Sequence, residues 1–82
     1  MSESSSTTLQ PKNIDEMLAA LKKAAKGKGF DIKGDKTSGK SNAVQGATVE
    51  YLVKGQEVTV TVSTGLDLDT MERYRKEWLK GY

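Results

Sequence analysis

Across residues 47–63 apolar and polar side chains alternate almost one for one, on either side of Lys54-Gly55-Gln56-Glu57. Ala47, Val49, Tyr51 and Val53 fall on one face, with Thr48, Glu50 and Lys54 on the other. Val58, Val60 and Val62 then alternate with Thr59, Thr61 and Ser63. A period of two turns the apolar set to one side of a pleated sheet and leaves the other side wet. Gly55 at the reversal can take the positive φ that a tight hairpin turn needs. These residues dictate an antiparallel hairpin with one face to be covered. Leu52 breaks the polar face and needs cover from the N-terminal segment or from a partner.

Two segments carry the helical period that could supply the cover. Ile14, Met17, Leu18, Leu21 and Ala25 share one face. Asn13 stands at the N-cap position, with Glu16 at capping-box spacing. Lys22, Lys23 and Lys26 fill the last turn, where positive charge suits the helix dipole, and Gly27 and Gly29 end the helix. In the second segment Leu68, Met71, Trp78, Leu79 and Tyr82 fall within one arc, with Tyr74 at its edge. Asp67 or Asp69 caps it, and Glu72, Arg73, Lys76, Glu77 and Lys80 take the far side. Phe30 and Ile32 alternate with Asp31 and Lys33 as a short strand, and the next strand opens at Val44. Residues 34–42 contain no apolar side chain and read as a hydrated, flexible loop. Residues 1–12 are polar and Ser/Thr-rich and read as a disordered tail. The expected fold is α+β: one domain over residues 13–82, a small three-stranded antiparallel sheet with two helices, in the order α-β-β-β-α.

Eighty-two residues hold one small domain. The chain has no cysteine and no histidine. Disulfides, a thiolate nucleophile and Cys-ligated metals are therefore excluded, and the commonest general base is missing. A carboxylate-only cation site at Asp67, Asp69 and Glu72 is more simply explained by helix capping. The expectation is a non-enzymatic chain without a cofactor. No apolar run approaches the roughly 18–20 residues of a membrane span, and no signal-peptide core opens the chain. A cytoplasmic monomer without membrane contact is expected.

Gly34-Asp35-Lys36-Thr37-Ser38-Gly39-Lys40-Ser41 matches the P-loop pattern G-x-x-x-x-G-K-[ST]. That motif works between a strand and a helix, where backbone N–H groups cradle phosphates. Here the residues after Ser41 alternate like a strand, so a nucleotide site is not expected.

Residues 22–40 hold seven lysines against Asp31 and Asp35, a local balance of +5, and the rest of the chain sums to −3, giving the net +2. Lys22, Lys23, Lys26, Lys28, Lys36 and Lys40 are the candidates for contact with nucleic acid. Without an arginine fork or a free aromatic such contact is weak and blind to sequence. Lys22-Lys23-Ala24-Ala25-Lys26 and the helix–three strands–helix order resemble double-stranded-RNA-binding domains, in which a Lys-Lys-x-Ala-Lys run opens the second helix. Here the run closes the first helix and the second opens on Asp67 and Asp69, so the resemblance is confined to element order. The second helix carries Tyr74, Arg75, Tyr82 and Arg73, residue types enriched at interface hot spots. They are the protein-binding candidates. The expected role is a small accessory or regulatory module that acts by occupying a protein partner, as inhibitor or adaptor. The alternative is weak, sequence-nonspecific nucleic-acid binding through the basic segment.

Overall fold

The hairpin demanded by the alternating pattern forms the middle of the molecule. A computed structural model describes residues 3–65 and 67–82. In chain order its elements are β1 (Glu3–Leu9), α1 (Ile14–Lys26), β2 (Ile32–Gly34), β3 (Ser38–Ser41), β4 (Thr48–Lys54), β5 (Glu57–Thr64) and α2 (Leu68–Trp78). β4 and β5 pair antiparallel from Thr48↔Ser63 to Lys54↔Glu57. Gly55 makes the turn at φ 60°.

Both helices pack on the apolar side of this hairpin. Asn13 caps α1, its side-chain oxygen accepting from the Glu16 amide at 3.0 Å. Met17 and Leu21 of α1 and Val49, Val58, Val60 and Val62 of the sheet are fully buried. Removing each such side chain from water contributes about 1.5–3 kcal/mol. Met71, Trp78 and Leu79 close the core from the α2 side. Phe30 meets Trp78 edge-on, with 5.9 Å between ring centroids.

The sheet has five strands, not three, in the order β1-β5-β4-β3-β2. The α+β class stands, but the element order is β-α-β-β-β-β-α, so even the shared order with double-stranded-RNA-binding domains is lost. One added strand, β1, comes from the segment expected to be a tail. All seven of its residues pair with β5, from Glu3↔Thr64 to Leu9↔Val58. Its inward side chains include one aliphatic residue, Leu9, so it has no hydrophobic signature. It is held by the backbone ladder and by hydroxyl pairs on the wet face, Ser6 with Thr61 at 2.8 Å and Thr8 with Thr59 at 3.0 Å. Met1 and Ser2 of the expected tail lie outside the described residues.

The other added strand, β3, comes from the segment expected to be a hydrated loop. It pairs with β2 through Ile32↔Ser41, Lys33↔Lys40 and Gly34↔Gly39, and with β4 on its other side. Val44 does not open a strand. Val44 and Ala47 close a turn through Gln45 and Gly46, both at positive φ, and β4 starts at Thr48.

Candidate functional site

With both helices on one side, the other face of the sheet is uncovered. The strand register sets its side chains in rows. One row runs Lys33, Lys40, Glu50, Thr61, Ser6 and the next Ser38, Leu52, Thr59, Thr8. Leu52 is 43% exposed, and β1 lies beyond β5 without covering it. Lys33, Lys40, Glu50, Leu52, Thr59 and Thr61 line a shallow concavity of about 710 Å³. Lys33 and Lys40 face each other directly across two strands, an arrangement of like charge that opposes sheet pairing. Lys33 comes within 3.9 Å of Asp31, but both groups are well exposed and the pair contributes little. Glu50 stands directly opposite Lys40 on β4, so it is Lys33, at the sheet edge, that has no carboxylate directly opposed. One brought by a ligand would fill that place, and Leu52 nearby offers apolar contact.

The residues expected at a protein interface on α2 are dispersed. Arg75 is buried, and its guanidinium is occupied within the molecule. Nη1 donates to the Ser5 carbonyl at 2.5 Å and Nη2 to the Ser5 hydroxyl at 3.1 Å. The Glu72 carboxylate stands 4.0 Å away. Arg75 thus fastens α2 to β1. Tyr74 is half-buried, stacked on Trp78 at 5.9 Å with the Lys28 ammonium 5.0 Å from its ring centroid. Arg73 is exposed and lines a groove with Thr7, Leu9 and Lys76. Tyr82 is exposed beside residues 10–13, away from that groove.

The basic candidates do not form one stripe. Lys22 and Lys36 share a cleft between α1 and the β2–β3 turn, and the Lys22 ammonium lies 5.8 Å from the Tyr51 ring centroid. Lys28 is engaged with Tyr74, and Lys23 and Lys26 are exposed on α1. Lys40 is on the open sheet face. Beside it stands Lys33, which sequence reasoning left out of the candidates. The alternation of Asp31 and Lys33 with Phe30 and Ile32 was the signal that assigns it to the wet face.

The P-loop-like residues form the β2–β3 hairpin. The Asp35 carboxylate accepts from the Thr37 and Ser38 amides at 2.8 and 3.0 Å and fixes the turn. These amide hydrogen bonds, Ser38 first and Thr37 second, hold its carboxyl below the ordinary value of 3.8. Ser41 is buried, its hydroxyl donating to the Asn42 carbonyl and accepting from the Val49 amide, both at 2.9 Å. No helix follows to aim amides at a phosphate. Asp67, rather than Asp69, caps α2. The Thr70 hydroxyl, and then its amide, lower the Asp67 pKa.

Among the described residues no three carboxylates gather as a cation site. None of their helices is long and apolar enough to cross a membrane. Comparison with protein-family models, with curated proteins and with solved structures gives no match.

Proposed function

We propose that this chain is a small non-enzymatic module that binds a protein partner through the uncovered face of its sheet and acts by occupancy. The observation that carries the reading is Leu52, a large apolar side chain standing in the middle of a Ser/Thr-rich face. Isolated exposed leucines are common. This one adjoins a concavity and the facing Lys33 and Lys40, a combination suited to a partner segment with an apolar side chain next to a carboxylate. The contact is assigned to the sheet rather than to α2 because Arg75 is consumed inside the fold. An inhibitor or adaptor working in the cytoplasm fits this reading.

The Lys33–Lys40 pair also favours a second reading, weak contact with nucleic acid. It ranks lower because Lys22, Lys36 and Lys40 lie in different places, and neither an arginine nor a free aromatic joins them.

Capture from a lysate of the native host, with protein and nucleic acid both quantified, tests the two. The baits are the wild type, Leu52→Glu and the double change Lys33→Gln/Lys40→Gln. The expected result is a protein retained through nuclease treatment and reduced about tenfold or more by Leu52→Glu, as for a hot-spot loss. Retention indifferent to Leu52→Glu overturns the assignment. Recovery of nucleic acid that disappears with the double change establishes the second reading instead.

A further inference from the structure

The two edges of the sheet are built differently. β2 is three residues long, carries Lys33 and ends in Gly34, features that discourage another strand from adding to it. β1 is seven residues long, and its register with β5 advances without a bulge. It has no proline and no lysine, and Glu3 is its one charge. Among the described residues nothing pairs with its outer side. Such an edge offers unpaired amides and carbonyls to another strand.

We infer that β1 pairs antiparallel with β1 of a second copy of this chain, joining two five-stranded sheets into one of ten. A two-fold axis at Ser6 pairs all seven residues: Ser6 with Ser6, Ser5 with Thr7, Ser4 with Thr8 and Glu3 with Leu9. Directly opposed residues share a face, so the hydroxyl rows continue across the junction and the helices of both copies lie on the same side. Charge selects this occupant. Beside Leu9, between β1 and α2, runs a groove of about 350 Å³ lined by Arg73, Arg75 and Lys76 and by one carboxylate, Glu72. Ser5 and Arg75 already engage Glu72, so the groove's free charge is that of Arg73 and Lys76. The Glu3↔Leu9 pairing brings the Glu3 carboxylate of each copy to that basic groove of the other. The contact is made twice, and it replaces the monomer expected from the sequence.

Sedimentation over roughly 1 µM–1 mM, the range in which modest interfaces dissociate, tests this without reference to any partner. The expected mass rises with concentration from 8.9 kDa toward twice that value. Ser6→Lys sets two like charges on the axis and is expected to weaken the dimer at least about tenfold. Glu3→Lys and Lys76→Glu each weaken it, and together they restore it. Opposed residues in an antiparallel pair lie about 4.5–5.5 Å apart at Cα, within disulfide reach. In this cysteine-free chain Ser6→Cys should therefore cross-link under mild oxidant while Thr61→Cys does not. A monomeric mass throughout, with no Ser6→Cys cross-link, overturns the inference. So does a dimer indifferent to Ser6→Lys, or one dissolved by Leu52→Glu, which would place the second copy on the open face. Neither of the first two results bears on the partner reading, which fails separately through Leu52.

Discussion

The ring of Tyr51 occupies the space that a side chain at Gly39 would fill. The two residues are directly opposed in β3 and β4, and a Cβ built on Gly39 would sit 2.5 Å from Tyr51 Cε1. The missing side chain lets the ring lie across the β3 backbone, so the Tyr51 hydroxyl donates to the Asp35 carbonyl at 2.5 Å. Gly39→Ala is expected to destabilise the domain by about 1–3 kcal/mol through overpacking. Thermal unfolding reads this as about 4–8 °C per kcal/mol for a domain of this size. Tyr51→Phe keeps the ring and loses the hydrogen bond, at about 0.5–1.5 kcal/mol.

Arg75 is the second structural dependence. Arg75→Ala removes the guanidinium from the Ser5 carbonyl and hydroxyl and leaves the hydroxyl only its donation to the Glu72 carboxylate at 3.4 Å. The expected loss is about 1.5–3 kcal/mol, the range for hydrogen bonds to a charged group. Amide exchange should accelerate in β1 more than in α1. Arg75→Lys is expected to rescue little, because an ammonium lacks the two-pronged donor geometry.

Acid should loosen the β2–β3 turn before it affects the core. The Asp35 carboxyl is held below its ordinary value by the Ser38 and Thr37 amides. Its contribution is present above the ordinary value of 3.8 and is lost as pH falls through the lower folded-state value. The Thr37 and Ser38 amide resonances should shift in that acid window while those of Val60 and Val62 stay put. Asp35→Asn can still accept both hydrogen bonds and should abolish the pH dependence.

Titration with Mg²⁺ and ATP should leave the amides of Gly39, Lys40 and Ser41 unmoved. The Ser41 hydroxyl that a P-loop would offer to the metal is committed to Val49 and Asn42. Saturable, Mg²⁺-dependent shifts at those three amides would contradict the hairpin assignment.

What could be read beforehand follows the hydrophobic pattern. Both helices, the Asn13 cap and the β4–β5 hairpin were legible because apolar periodicity marks elements that bury a face. β1 and β3 were not, because they are held by other means. β1 depends on hydroxyl pairs and on Arg75, which its residue type marked only as an interface candidate. β3 contributes a missing side chain at Gly39 and a hydrogen-bonded one at Ser41, so its contacts exist only once Tyr51 and Val49 are beside it. The candidate site was half legible. Leu52 broke an otherwise polar face in plain view, whereas the facing of Lys33 and Lys40 required the β2–β3 pairing. The α2 candidates were chosen by residue type, which does not distinguish an arginine that binds outward from one that fastens a helix.

The pairing of β1 with β5 imposes an order of events on synthesis. Ser5 and Arg75, which hold that edge together, are 70 positions apart. A ribosome makes Ser5 well before Arg75, so Ser5 cannot accept from that guanidinium until Arg75 has emerged. β1, made before the four strands that follow it, is therefore among the last of them to be satisfied, and contacts of such long separation slow folding. Until then a serine- and threonine-rich segment with almost nothing apolar to hide can wait in water at little risk of aggregation. An aliphatic strand in the same place would not have that latitude.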